Sequence, residues 1–374
     1  MSGLHTMKKM KTTATNPTIF SNDITVEIFS RLPVKSLLRF KCVSRFFNSL
    51  VSESYLMDIH RRRSRSTSRN EIKFFVPVSK GFYSMEMKED GEVSTCNFDF
   101  LYDHLSYANG LFYFWVEQTE PVRIFNPGTR EVRLLPRVKQ LYPLRCLREF
   151  YLSSFYGCFY FLGYEPQEKK YKILMTLCVS RECTKNWVFT LGSKEYWREV
   201  KSTVDFFPHK RGICICGVIY FFVHSKRFIV AFDVKAENFK TIKLWNASHD
   251  DYELIEVKGK LAVQRCFSNN VNLWILENTQ KEEWHSHIVS FSSQVGFDAY
   301  EICSFCNGEI LIFVSKLSAS TNDRLCYCYD VRNNSGKYVK ILWPTVNDWI
   351  DEGIYTYVES LIPLKKICSA RHQS

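Results

Sequence analysis

A chain of 374 residues, 45% of them hydrophobic and 16% aromatic, has the apolar material for a packed core and room for more than one domain. Its net charge of +11 sits at one end: residues 1–73 hold 14 Lys/Arg against 5 Asp/Glu, and the remainder holds 36 against 34. The near-neutral remainder argues against a body that tracks nucleic-acid phosphates. The longest apolar runs fall short of the roughly 18 residues of a membrane helix, and the opening MSGLHTMKKM has no apolar stretch of the secretory kind.

Residues 1–18 read as a disordered lead-in. Ser21 and Asn22 then offer a helix N-cap, and Ile24, Ile28 and Leu32 recur at i, i+4 and i+8, one stripe of a helix. Pro33 ends that helix and suits the first turn of a second, whose apolar stripe is Val34, Leu37, Leu38 and Val43. Ser44 can cap a third, bearing Phe47, Leu50 and Val51. Three helices this short cannot bury all of that apolar surface among themselves, and a surplus on a small helical module marks a partner surface. The excess of basic residues around it suits an acidic partner.

These residues resemble an F-box. The match runs through Asp23, Ile24, Glu27, Ile28, Phe29, Arg31, Leu32, Pro33, Lys35, Ser36, Leu37, Arg39, Phe40, Lys41, Val43, Ser44, Arg45, Phe47 and Leu50. It departs from the family pattern at Phe20-Ser21, where the family has Leu-Pro, and at Phe47, where it has Trp. In the family that first Pro packs on the adaptor. The resemblance implies docking to the Skp-type adaptor of a cullin–RING ubiquitin ligase. The expected docking stripe is Ile24, Ile28, Leu32, Pro33, Leu37, Leu38, Val43 and Phe47, with Arg31, Lys35, Arg39 and Lys41 steering an acidic adaptor.

The stretch RRRSRSTSRN, residues 61–70, reads as a basic linker and domain boundary; a nuclear-import signal or nucleic-acid patch is the alternative. From residue 71 the pattern becomes short strands separated by turns. One half-unit, a Gly-containing turn and an apolar strand, recurs at Asn109-GLFYFW, Cys216-GVIYFF, Lys258-GKLAVQ and Asn307-GEILIF. The other, strand–polar turn–strand, recurs at 122–135, 228–244 and 325–342, with a looser copy at 158–175. A repeat of roughly 40–50 residues made of antiparallel strands predicts propeller blades, about six here, rather than one large β-sandwich. The first blade is expected within 71–98. The stretch IYTYVESLIPL, 354–364, is expected to pair with it and close the ring, because closure removes exposed sheet edges.

The pieces NGLFYFW, RIFNPGTREVRLLP, GYEPQEKKYKIL, AFDVKAENFKTI and YVESLIPL resemble, in order, the plant F-box-associated domain of kelch-like propeller type. The expected class is therefore α+β and mostly β: a three-helix F-box at 19–60, a β body at 71–366 and a tail at 367–374. The resemblance implies a non-catalytic receptor that holds a target protein on the β body, and it carries over no individual target-binding residues. Two other readings stay open: a ligase-independent propeller scaffold with a degenerate F-box, and a nucleic-acid binder using the basic linker.

The 14 Cys without a secretory signal point to free thiols in a reducing compartment, nucleus and/or cytoplasm. Cys303-x-x-Cys306 has metal-like spacing, and its partners would be Cys326-x-Cys328. Those two sit at i and i+2 on one strand face, which core packing explains without zinc. His285-x-His287 reads as surface. A nucleophile elbow, a phosphate-binding glycine loop and the H-E-x-x-H pattern are absent from the sequence, so no catalytic residue, metal site or cofactor is expected. Trp187, Trp197, Trp284 and Trp349 have polar neighbours and are either interface anchors or blade core.

Overall fold

The computed structural model describes residues 22–66, 73–78, 81–86, 93–97, 102, 104–115, 122–138, 157–180, 183–192, 196–202, 204, 206–208, 211–223, 228–245, 252–267, 270–290, 299–304, 308–314, 323–342 and 353–364. The expected lead-in and tail, Phe20-Ser21, residues 67–70, Cys306 and Trp349 lie outside them.

Four helices come first, not three: α1 (Asn22–Phe29), α2 (Val34–Val43), α3 (Arg45–Ser52) and α4 (Ser54–Ser66). The difference is α4. Its last turns are the RRRSRS stretch read as linker, and a run of arginines with no apolar period gives no helical signal of its own. The expected cap at Ser44 is present: its hydroxyl accepts the Phe47 N–H at 3.2 Å. Pro33 sits just ahead of α2, where its missing N–H costs nothing.

The remaining strands form six four-stranded antiparallel sheets. The first holds β1 (Lys73–Val78), β2 (Gly81–Glu86) and β3 (Val93–Asn97). The second holds β4 (His104–Ala108), β5 (Leu111–Trp115), β6 (Arg123–Asn126) and β7 (Glu131–Leu134). The third runs β8 (Gly157–Glu165), β9 (Lys170–Ser180), β10 (Cys183–Thr190) and β11 (Arg198–Val200). The fourth is β12 (Ile213–Ile215), β13 (Val218–Phe222), β14 (Phe228–Asp233) and β15 (Asn238–Lys243). The fifth is β16 (Glu253–Val257), β17 (Lys260–Cys266), β18 (Asn270–Asn278) and β19 (Glu283–Ser290). The sixth is β20 (Ala299–Ser304), β21 (Glu309–Val314), β22 (Asp323–Asp330) and β23 (Ser335–Leu342). The last strand, β24 (Tyr355–Tyr357), pairs antiparallel with β1 and completes the first sheet from the far end of the chain. First strands of successive sheets touch one another, β4 to β8, β8 to β12, β12 to β16, β16 to β20 and β20 to β24, so they line the axis of a six-bladed propeller.

The apolar runs are continuous because each inner strand is buried on both faces. Along β5, Leu111, Tyr113 and Trp115 point into the cluster shared with the third blade, and Phe112 and Phe114 into the cluster shared with the first. Each of the six blade-to-blade interfaces has its own buried cluster, and the helices share a seventh with Leu361. Stability is thus distributed around the ring.

Two kinds of turn mark the repeat. The glycine half-unit is the link between the first two strands of a blade. Asn109-Gly110, Cys216-Gly217 and Lys258-Gly259 each have positive φ at both residues, the hairpin turn whose twist matches its strands. The polar half-unit links the last two strands. In it an Asn or Asp side chain accepts N–H groups of its own turn: Asn126 from Gly128 at 2.9 Å, Asp233 from Lys235 and Ala236 at 2.8 Å, and Asp330 from Arg332 at 2.8 Å. The looser copy at 158–175 has the same chemistry in the other place: it is β8–β9, the first two strands of the third blade, with Glu165 accepting from Gln167 at 3.1 Å. A capped four-residue turn does not say which hairpin of a blade it closes, so sequence spacing misphases this copy.

Blades three and four are also clamped by charge. Glu237 accepts hydrogen bonds from Lys172 at 2.7 Å and from both terminal nitrogens of Arg198. Lys172 is buried and donates to the Val234 carbonyl as well, at 2.6 Å. Burial pushes the Glu237 carboxyl up, but the hydrogen bonds from Arg198 and Lys172 outweigh it and hold the group below its usual 4.5. A depressed carboxylate gives stability that is present above about pH 4.5 and is lost as pH falls through the lowered value. Two outcomes follow. Glu237→Ala strands the Lys172 ammonium and should cost about 3 kcal/mol in urea unfolding at pH 7, and the loss should shrink when the same comparison is made at acid pH. Gly110→Ala should also cost about 1–3 kcal/mol: Gly110 has φ +95°, and an added Cβ would lie 2.7 Å from Ser360 Cβ and 2.8 Å from the Val358 carbonyl.

Candidate functional site

The helices divide their apolar residues between a core and the surface. Phe29, Val34, Leu37, Leu50, Val51 and Leu56 are buried together. Phe29, Phe40 and Phe47 form a triangle with ring centroids 5.1, 5.2 and 5.6 Å apart, so Phe47, where the family pattern has Trp, packs against the helical core. On α1, Thr25 and Phe29 face inward, while Ile24 and Ile28 are 49% and 43% exposed. Val43 at the end of α2 is 70% exposed. Apolar side chains this exposed on an already packed module form an apolar surface open to solvent.

The expected stripe therefore splits. Ile24, Ile28, Pro33 and Val43 stand on the surface, and Leu32, Leu38 and Phe47 are half-buried. Leu37 is fully buried, packed with Val34, Leu56 and Leu361 in the helical core, so it supports the surface from beneath. Two further aromatics of the module, Phe46 on α3 and Tyr55 on α4, are exposed; the F-box pattern leaves position 46 unspecified and ends before position 55. Of the expected steering residues, Lys35 and Arg39 are exposed and Lys41 is half-buried. Arg31 is exposed but paired with Glu27 at 2.6 Å. Glu27 also accepts from Arg63 at 2.5 Å, and hydrogen bonds from Arg63 and then Arg31 lower its carboxyl.

Arg61, Arg62 and Arg63 of the basic run are paired within the chain. Arg61 is paired with Asp58 at 2.5 Å and lies 4.3 Å from the centre of the Tyr164 ring on β8. Lys169, in the β8–β9 turn, also reaches Asp58 at 3.5 Å. Burial works to raise the Asp58 carboxyl, but Arg61 and then Lys169 and Arg62 outweigh it and lower the group. Arg63 binds the Ser30 hydroxyl and the Glu27 carbonyl. Arg62 is 75% exposed and pairs with the other oxygen of Asp58 at 2.9 Å.

The module is seated on the propeller by the segment after β24. Glu359 accepts the Val34 N–H at 2.9 Å and gives its own N–H to the Ser64 hydroxyl at 2.8 Å. Leu361 enters the helical core. Asn126 donates to the Ser360 and Ile362 carbonyls at 3.0 and 2.9 Å, and Glu131 accepts the Leu364 N–H at 2.7 Å. Gly128 lies so close that a Cβ there would sit 2.9 Å from the Ser360 carbonyl and 3.2 Å from Val34.

The sulfur and imidazole candidates are placed differently. Cys303, Cys326 and Cys328 belong to the apolar cluster between blades six and one, and Cys303 donates to the Ile354 carbonyl at 3.0 Å. Among the described residues no group of three or more Cys, His, Asp or Glu is arranged to hold a metal. Burial pushes Cys158, Cys178 and Cys266 up to about 12, which keeps these thiols protonated and unreactive. His285 is exposed; His287 is hydrogen-bonded to the Tyr329 hydroxyl at 2.6 Å, and burial lowers its pKa. Trp187 and Trp197 are buried in the interface of blades two and three. Trp284 is half-buried and donates to the Lys243 carbonyl at 3.2 Å. No described helix is long and apolar enough to cross a membrane.

A helical docking module fixed on a six-bladed propeller is the architecture of an F-box protein with a propeller-type associated domain. Residues 19–59 match the model of the F-box domain, and residues 64–358 match that of the F-box associated beta propeller domain. The chain belongs to this family of plant F-box proteins. Among its relatives is a putative F-box protein of Arabidopsis thaliana that is 28% identical, over 78% of this chain and 79% of that one. A second from the same plant is 27% identical over 85% and 83%, and a third 32% over 71% and 70%. Among solved structures, a chain of the nidogen/laminin complex superposes with a TM-score of 0.47 at 9% identity, over 77% of this chain and 99% of that one; so loose a likeness carries no argument.

The division between core and surface is measurable. Leu37→Ala should cost the helical module about 2–5 kcal/mol, while Ile28→Ala should stay within about 0.5 kcal/mol, both read from thermal unfolding of the full chain.

Proposed function

We propose that this protein is the substrate-recognition subunit of a Skp–cullin–F-box ubiquitin ligase. The observation that carries this reading is the exposure of the apolar Ile24, Ile28 and Val43 on a module whose buried core lies elsewhere. Lys35 and Arg39, exposed on the same module, suit an acidic adaptor, which they steer more than they bind. The receptor has no bond-making step of its own. It docks the adaptor with the helices, holds a target protein on the propeller and so raises the concentration of target lysines near the ubiquitin-loaded conjugating enzyme. Internal pairing of Arg61 and Arg63 disfavours the nucleic-acid reading of the basic run.

The test is a charge placed on the open face of the full chain. Ile28→Asp with Val43→Asp should leave the unfolding temperature near that of the wild type, because neither side chain is part of the core. It should weaken binding of purified Skp-type adaptor by about a hundredfold. Full retention of adaptor binding would remove the assigned surface. Failure of the wild type itself to bind adaptor would favour a ligase-independent scaffold.

A further inference from the structure

We propose that Glu359 is a positioning residue: it sets the angle between F-box and propeller, and through that angle selects which lysines receive ubiquitin. This rests on the ligase-receptor reading above. Glu359 is two residues past β24 and meets three elements at once. One carboxylate oxygen accepts the N–H of Val34 at 2.9 Å. That N–H is the first of α2, has no partner within the helix and lies at its positive end, where a carboxylate is favoured. The same oxygen is 3.9 Å from His60 Nε2 on α4, and the other is 3.7 Å from Lys73 Nζ on β1. The backbone N–H of Glu359 is held by Ser64, also on α4. His60 in turn is hydrogen-bonded to the Leu32 carbonyl at 2.9 Å, at the bend between α1 and α2.

The residue is itself held in place. The Tyr107 hydroxyl accepts the Val358 N–H at 3.0 Å, and Asn126 grips the carbonyls of Ser360 and Ile362. The carboxylate is therefore fixed in the frame of blades one and two, and the first turn of α2 is fixed to the carboxylate. The polar partners of Glu359 are Val34, His60, Ser64 and Lys73, not the exposed Ile24, Ile28 and Val43, so its effect lies in orientation and not in adaptor affinity. Where proximity is the whole mechanism, a misaligned target loses rate without losing binding.

The experiment uses the full chain with its adaptor and the cullin–RING core, and reads the receptor's own lysines by mass spectrometry, since these are acceptors of known position. Glu359→Ala should bind adaptor within twofold of wild type. It should spread ubiquitin over additional lysines and slow the dominant site by roughly tenfold. Glu359→Gln keeps an oxygen for the Val34 N–H and should recover the wild-type pattern. An unchanged pattern in Glu359→Ala, or one slowed equally at every lysine, would overturn the proposal. Hydrogen exchange at the Val34 amide gives a readout that does not depend on ligase activity. It should quicken at least tenfold in Glu359→Ala while amides within the blades keep their rates, and an unchanged rate would refute the seat. If the wild type binds no adaptor, the receptor reading fails while this exchange measurement still decides whether Glu359 holds the helices.

Discussion

The interaction on which the rest depends is the return of the chain's far end to its beginning. Residues 355–357 provide the strand that completes the first blade, and the next few residues run beneath the helices. One short segment thus closes the ring through backbone pairing, anchors to the second blade through Asn126 and Glu131, and places Leu361 in the helical core. Ring closure and the seating of the F-box are not separate events; the same residues perform both, and any motion of one is felt by the other.

The electrostatics divide along the same line. The excess positive charge of the first 73 residues is not uniformly available. Arg61 is turned inward onto Asp58 and Tyr164, and Arg63 is held by Glu27 at the surface, so that they tie α4 to the third blade and to α1. Lys35 and Arg39 remain outward, on the module with the open apolar residues. A count of charges reports one basic block; the fold separates it into an internal brace and an external field.

Much of this was legible in the sequence. The glycines at 110, 217 and 259 announce two-residue hairpins because a residue with positive φ is needed there, and their recurrence yields the blade period. Ser44 announces its cap. The blade number and the closing strand followed from the same logic. What the sequence did not yield has a common cause. The helical state of RRRSRS, the third blade's displaced turn and the inward orientation of Leu37 are each decided by contacts far along the chain, such as Arg61 with Tyr164 and Leu37's cluster with Leu361. Periodicity reports the environment of a segment only where one face or one turn dictates it. In blades buried on both faces the pattern is a plain apolar run, and the register must come from the turns.

The first blade being built from both ends of the chain bears on synthesis. Its inner face cannot be paired until Tyr355–Tyr357 leave the ribosome, long after Lys73–Asn97 have emerged. At 5–20 residues per second that interval is roughly 13–50 s. Throughout it Phe74, Phe75 and the F-box core lack their final partners, since these come from the sixth blade, β24 and Leu361. The nascent protein therefore holds these apolar surfaces of the first blade and the helices unpaired throughout that interval, which makes them sites for chaperone capture.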